Sequence, residues 1–137
     1  MDYKDLRTKY PTFTYNSYKS SVVAGKLQLE FTYSLPPDHS FTHKVAFDNL
    51  IPPNSNLDAL VFHVGLVEMF SYWKLTCSPQ IEVSAGHLTA SQISFWHKLL
   101  LNGMGQYFFE NQIDFTSSDF VTIVSAPDPT PHLKLTT

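Results

Sequence analysis

The sequence predicts an α+β domain in which an antiparallel β-meander of three or more strands packs against two main helices. A stretch rich in Tyr, Phe, Thr and Val runs from Thr12 to Phe47, and two later segments, Leu57 to Thr76 and Thr89 to Glu110, have helical features. The 137 residues suffice for one hydrophobic core. We therefore expect a single domain over residues 1–125 and, over residues 126–137, a proline-rich linker or tail that leads to a missing C-terminal domain.

The β-rich stretch divides into three strands. The first is predicted from about Thr12 to Val23, and Ala24-Gly25 supplies the turn after it. The second, Lys26 to Leu35, alternates apolar and polar residues, which places one of its faces in the core. The third runs from Phe41 to Phe47. One side of this third strand carries Phe41, His43, Val45 and Phe47.

The first predicted helix, Leu57 to Thr76, follows the helix stop and N-cap signal Pro52-Pro53-Asn54-Ser55-Asn56. Its apolar residues go right around the helical wheel, and such a helix is buried on every face. A domain of this size can rarely surround a helix completely. Either part of the helix is covered by chain or subunits outside this sequence, or the helix is central and is wrapped by the sheet and the second helix.

The second predicted helix begins at a capping box. Thr89 and Gln92 have the spacing at which each side chain satisfies a free backbone N–H of the helix start. Asn102-Gly103 offers a left-handed cap or a kink near the end of this helix. Short strands are predicted before and after it, at Gln80 to Ser84 and at Phe120 to Val124.

Composition excludes several classes of protein. The formal net charge is −3 and the nine Lys and Arg residues are scattered, so we expect no nucleic-acid partner. The apolar stretch from Leu57 to Leu75 is interrupted by charged and histidine residues, so we expect no membrane span. The only cysteine, Cys77, cannot form an internal disulfide, and no secretory leader opens the chain, so we expect a cytoplasmic location.

Few residues suggest chemistry by their spacing. The six histidines do not fall at metal-ligand spacings, and Gly-rich phosphate loops are absent, so neither a metal nor a cofactor is expected to bind this chain. Cys77 follows a predicted helix C-terminus, which disfavours a thiolate, and we expect a structural thiol. Glu68 lies among apolar positions of the first helix and is a candidate for a perturbed acid, although it could also reach an edge or pair with a lysine.

Three segments of the two predicted helices form a familiar set. They are Phe62 to Lys74, with the sequence FHVGLVEMFSYWK, Phe95 to Leu99, with FWHKL, and Asn102 to Phe109, with NGMGQYFF. These segments resemble the N-terminal region of the UDP-N-acetylmuramoyl-L-alanyl-L-glutamate epimerase family. The resemblance is good over about residues 61–111, and it departs at Gln106, where the family has an acidic residue.

The resemblance implies an enzyme that inverts the glutamate α-carbon of a peptidoglycan precursor with the help of ATP and Mg²⁺. In that family a Gly-Gly-Lys-Asp-Ser nucleotide loop of the PP-loop type follows this region, and the present sequence does not contain it. We therefore expect the chain to be the substrate-side or scaffold domain, to act on a nucleotide-sugar peptide together with a C-terminal ATP domain, and to be inactive alone. The alternatives are a domain of another PP-loop ATP-dependent enzyme and a non-catalytic interaction module.

The sequence does not identify the catalytic residues, but three residues of the first helix are candidates for the catalytic site. Glu68 and Tyr72 are four residues apart and share a helix face, so that the phenol could hydrogen-bond the carboxylate. We hypothesise that these two side chains face the ATP domain and help to hold the substrate or to orient that domain. Lys74 points to another surface, where it would offer a charge near the anionic groups of the precursor. Alternatively, Tyr72 is a core residue and Lys74 is solvated.

Overall fold

The computed structural model describes residues 3–48, 57–115 and 120–127. The described helices and strands, in chain order, are α1 (Tyr3–Lys9), β1 (Thr12–Val23), β2 (Lys26–Leu35), β3 (His39–Asp48), α2 (Leu57–Trp73), β4 (Gln80–Val83), α3 (Ala90–Gly103), α4 (Gly105–Glu110) and β5 (Thr122–Ser125).

The five strands form one sheet in the order β3-β2-β1-β4-β5. β1, β2 and β3 are joined by antiparallel pairing, which confirms the predicted meander and the α+β class. β4 pairs in parallel with both β1 and β5. The parallel pairing was not predicted, because a local alternation pattern does not identify a strand's partner.

The element bounds agree closely with the sequence analysis. β1 and β2 have the predicted bounds, and β3 is longer than the predicted strand. α2 ends at Trp73, three residues before the predicted end, and a turn whose Cys77 N–H donates to the Trp73 carbonyl follows it. The predicted stop and N-cap at residues 52–56 lie outside the described residues. α1 was not predicted, because it has only seven residues and its apolar positions that pack on the core, Tyr3 and Leu6, are too few to define a helical period.

The predicted turn between β1 and β2 is confirmed. Ala24 and Gly25 have φ angles of 52° and 78°, and positive φ at both central residues is the signature of a type I′ hairpin turn. Glycine adopts this conformation without steric cost, whereas alanine does not. The turn therefore places one favourable and one unfavourable residue at its two central positions.

The meander has one buried face and one polar face. The buried face of β2 consists of Leu27, Leu29, Phe31, Tyr33 and Leu35. α2 packs on this face, and its last residue, Trp73, is completely buried and donates from its indole nitrogen to the Ser78 carbonyl at 2.9 Å. On the opposite face, Glu30 forms ion pairs with Lys19 and Lys44 on the neighbouring strands.

The capping box at the start of α3 is confirmed. The backbone N–H of Gln92 donates to the Thr89 hydroxyl at 3.1 Å, and the Thr89 N–H donates to the Gln92 side chain at 2.9 Å. Met104 separates α3 from α4, so the helix is interrupted near Gly103 as predicted. The left-handed cap is not formed, because Gly103 belongs to α3 and its φ is not positive. α3 lies beside α2, where the rings of Phe70 and Trp96 stack at a centroid distance of 5.3 Å.

α2 is not enclosed on all sides by the described residues. Leu60 and Val67 are 47% and 56% exposed, so the interpretation in which the sheet and the second helix wrap α2 completely is wrong. Within the described ranges, the helices are too short or too polar to cross a bilayer.

The end of β5 is held against β4. The Ala126 N–H is within hydrogen-bonding distance of the carbonyls of Val83 and Gly86, at 3.0 and 3.1 Å. Most of the predicted linker, residues 128–137, lies outside the described residues. The domain boundary stays a prediction.

Candidate functional site

His43 connects two of the site residues predicted from sequence. Glu68 and Tyr72 lie one turn apart on α2, on the side of the helix that faces the edge strand β3. The Tyr72 hydroxyl lies 2.7 Å from Nδ1 of His43, and Nε2 of the same imidazole lies 3.2 Å from a carboxylate oxygen of Glu68. The direct phenol–carboxylate hydrogen bond considered above is thus replaced by a bridge through His43.

The partners of the two ring nitrogens of His43 determine which atoms donate hydrogen bonds in this cluster. An ionised Glu68 can only accept, so Nε2 of His43 carries a proton and donates it to the carboxylate. In a neutral imidazole Nδ1 is then the acceptor, and the Tyr72 hydroxyl donates to it. A positive charge that develops on this imidazole is stabilised by the carboxylate beside it.

The cluster is anchored by aromatic packing and remains reachable from solvent. The Tyr72 ring lies 4.8 Å from that of Phe41 and 5.5 Å from that of Tyr33, between ring centroids. The His43 ring stacks on Phe31 at 6.4 Å. The side chains of His43 and Glu68 are 26% and 33% exposed, so Glu68 is not enclosed among apolar neighbours as its position on the helical wheel suggested.

Burial raises the pKa of the neighbouring Tyr33 well above its usual range, and the charges of Tyr15, Glu68 and Tyr72 act in the same direction. The Tyr33 hydroxyl donates to the Gly65 carbonyl at 2.7 Å. Tyr33 therefore stays protonated and serves to hold α2 on the sheet.

Lys74 lies apart from this cluster. It follows the last residue of α2, its side chain is exposed, and its backbone carbonyl accepts a hydrogen bond from the Tyr107 hydroxyl at 3.1 Å. The structure thus brings Glu68 and Tyr72 together and leaves Lys74 on another surface. The functional roles hypothesised for the three side chains stay predictions.

An apolar groove of about 380 Å³ lies along the same junction of α2 and the sheet. Val64, in its wall, precedes Glu68 by one turn, and Phe47 lies on the same face of β3 as His43. The groove is lined by Leu27, Leu29, Phe47, Asp48, Leu60, Val61 and Val64. The polar cluster and the apolar groove therefore follow one another along the contact between α2 and β3.

A second apolar groove, of about 280 Å³, separates α2 from α3. Its lining consists of Val67, Phe70, Trp96, Leu99, Leu100, Gly103 and Met104. Leu60 and Val67 on α2, and Phe95 and Leu99 on α3, each expose about half of their side-chain surface or more. This helical face is apolar over two adjacent helices.

Cys77 has no role in the cluster. Its side chain is completely buried, and burial raises the pKa of its thiol to about 12, although the nearby Arg7 acts in the opposite direction. The thiol stays protonated at neutral pH, which agrees with the structural role expected from sequence.

Comparison with known protein families decides the assignment of the chain. The profile of the MurL N-terminal domain matches residues 4–136. The chain belongs to the MurL family. The resemblance to the UDP-N-acetylmuramoyl-L-alanyl-L-glutamate epimerase family is thereby confirmed, and the chain is the N-terminal domain of a MurL-like epimerase connected with peptidoglycan. Comparisons with curated proteins and with solved structures gave no significant match.

The described residues of this MurL domain form no cluster of three metal-binding side chains. Within residues 3–48, 57–115 and 120–127, no three His, Cys, Asp or Glu side chains converge in a way that could hold a metal ion. The sequence also contains no Gly-rich phosphate loop.

His43 was not among the site residues predicted from the sequence. It was placed on the apolar side of the third strand, between Phe41 and Val45, and that placement was correct. A histidine on an otherwise apolar strand face was the available signal. Its partners were not predictable, because they depend on how α2 crosses the edge of the sheet.

Proposed function

We propose that this chain is the N-terminal domain of an ATP-dependent epimerase that inverts the terminal L-glutamate of UDP-N-acetylmuramoyl-L-alanyl-L-glutamate. The observation that carries this proposal is the match of the MurL N-terminal domain to almost the entire chain, residues 4–136. The reaction would take place in the bacterial cytoplasm during peptidoglycan biosynthesis.

In this proposal the chain handles the substrate and another part of the protein binds ATP and Mg²⁺. The match to an N-terminal domain and the absence of a Gly-rich phosphate loop from the given sequence support this division. The acid–base groups at His43, Glu68 and Tyr72 support a role at the peptide end of the substrate. The domain alone would then lack activity.

The partner proposed for this chain is the C-terminal ATP domain of the same enzyme. Support comes from the apolar face of α2 and α3, where Leu60, Val67, Phe95 and Leu99 are between 47% and 58% exposed. Packing this face against a second domain would remove apolar surface from water. The free energy gained is about 25 cal/mol per Å² of apolar surface buried. Glu68 and Tyr72 would hold the substrate or orient the ATP domain, and Lys74 would lie near anionic groups of the precursor.

The test is an assay of the full-length enzyme with UDP-N-acetylmuramoyl-L-alanyl-L-glutamate, with and without Mg–ATP. Chiral analysis of the hydrolysed product measures D-glutamate. We expect D-glutamate only with the full-length protein and ATP, and none with residues 1–137 alone. ATP turnover without epimerisation would instead favour another PP-loop enzyme, and the absence of both activities would favour an interaction module.

A further inference from the structure

We propose that Tyr72, His43 and Glu68 form a proton-transfer site in which the Tyr72 hydroxyl exchanges a proton with the glutamyl α-carbon of the substrate. This inference rests on the proposed epimerase function and assigns chemistry to one face of the α-carbon. It starts from a geometric fact: a phenol, an imidazole and a carboxylate are connected by contacts of 2.7 and 3.2 Å.

The hydrogen bonds within the cluster determine which of its atoms can accept a proton from the substrate. Both ring nitrogens of His43 are occupied, Nδ1 by Tyr72 and Nε2 by Glu68, so the imidazole has no nitrogen left for a substrate. The Tyr72 oxygen donates its hydrogen to Nδ1 and keeps its lone pairs. Of the phenol and the imidazole, therefore, only the phenol oxygen can take up a substrate proton.

The substrate and the three side chains of the cluster account for every proton that moves. The Cα–H bond of the substrate breaks, its electron pair stays on carbon, and an O–H bond forms at Tyr72. The original phenolic proton moves to Nδ1 of His43, and the imidazolium that results is stabilised by Glu68. The cluster thus changes from a net charge of −1 to 0, and return of a proton to the substrate restores it.

The described residues around His43 show which charge acts on its imidazole. β2 presents to the imidazole the neutral ring of Phe31 and, beside Tyr72, the protonated Tyr33. α2 presents Glu68 and Tyr72. The next residue of β3, Lys44, pairs with Glu30 on the opposite face of the sheet. Among the residues that the structure describes, Glu68 is thus the charged group in contact with the imidazole.

The decisive variant is Tyr72→Phe in the full-length enzyme, with Tyr33→Phe as its matched control. Both substitutions remove one phenolic hydroxyl that makes a single hydrogen bond, and the two rings are neighbours. The readouts are kcat, KM, the melting temperature, and wash-in of deuterium from D₂O at the glutamyl α-carbon. We expect Tyr72→Phe to lower kcat and deuterium wash-in by about 100-fold or more with KM little changed, because general acid–base catalysis contributes on that order.

We expect Tyr33→Phe to retain wild-type kcat and to lose only stability. Glu68→Gln keeps the shape of the cluster, removes its charge, and should also lower kcat at unchanged KM. If Tyr72→Phe does not fold, Glu68→Gln tests the proton-transfer site in its place. Wild-type deuterium wash-in in Tyr72→Phe, or in Glu68→Gln when Tyr72→Phe is unfolded, overturns the proton-transfer site. A wild-type enzyme that forms no D-glutamate overturns the proposed function instead, so the two failures are distinguishable.

Discussion

The hydroxyl of Tyr15 occupies the space in which a side chain at Gly65 would begin. A Cβ atom built on Gly65 would lie 1.9 Å from the Tyr15 oxygen and 2.8 Å from a ring carbon of Phe31. The same Tyr15 hydroxyl donates to the Phe62 carbonyl at 3.1 Å. Gly65 therefore permits α2 to approach the sheet closely. The position of Glu68, one turn later on α2, depends on this close approach.

Gly65→Ala is expected to lower the free energy of unfolding by about 1–3 kcal/mol, because the buried Tyr15 ring has to move. Urea denaturation measures the change. Gly103→Ala is the matched control, since no atom of the described residues lies within 4 Å of a Cβ at that helical position. Alanine there should be neutral or should stabilise by up to about 1 kcal/mol. Equal effects at the two positions would contradict the close-packing explanation.

The strands of the meander were predictable because their information is local. β2 alternates buried and less buried residues along its entire length, and this period of two fixes both its bounds and its core face. The pairing of β4 with β1 and β5 depends on chain segments that are distant in sequence. No alternation pattern contains that information, so the parallel half of the sheet could not be predicted.

The candidate site was predictable only in part, for the same physical reason. The helical period placed Glu68 and Tyr72 on one face of α2, and they do meet at one imidazole. His43 belongs to a different element, and its contact with them requires α2 to cross the sheet beside β3. Lys74 was correctly separated from Tyr72 by the helical angle alone.

The turn between β1 and β2 offers a stabilising substitution. Ala24 has a φ angle of 52°, a conformation that costs an L-residue with a Cβ roughly 1–2 kcal/mol. Ala24→Gly or Ala24→Asn is therefore expected to raise the free energy of unfolding by about 0.5–1 kcal/mol, since these residues are favoured in type I′ turns.

Gly25→Ala is the control for this turn, with the opposite expected sign. Gly25 has a φ angle of 78°, and no atom of the part of the chain that the structure describes lies within 4 Å of its Cβ position, so a loss of stability reflects backbone conformation and not a clash. Thermal unfolding of the three variants gives the comparison. Destabilisation by Ala24→Gly would show that the turn prefers another backbone conformation in solution.

The Arg7 side chain connects α1 to the core. Its guanidinium donates to the carbonyl of Cys77 at 2.6 Å and to that of Phe120 at 2.7 Å, and it lies 4.6 Å from the centre of the Phe120 ring. Arg7→Lys keeps the charge and loses the two-pronged contact, so we expect a loss of about 2 kcal/mol in the free energy of unfolding. The exposed Lys4→Gln is the control and should change stability by less than about 0.5 kcal/mol.

The buried thiol of Cys77 makes stability depend on pH in a direction that can be stated. Its pKa is raised by burial from an ordinary value of 9.0 to about 12 in the folded protein. Below pH 9 both states keep the proton and the contribution is constant. Above pH 9 the unfolded state releases the proton while the folded state retains it, so stability falls as the pH rises towards 12.

Comparison of the wild type with Cys77→Ala isolates this contribution from that of the buried tyrosines, which are present in both proteins. Urea denaturation between pH 7.5 and 10 is expected to give a constant difference in free energy of unfolding up to about pH 8.5. Beyond pH 9 the wild type should lose up to about 1.4 kcal/mol per pH unit relative to the variant. A difference that stays flat to pH 10 would mean that the Cys77 thiol ionises as readily in the folded protein as in the unfolded one, and that its complete burial is not maintained in solution.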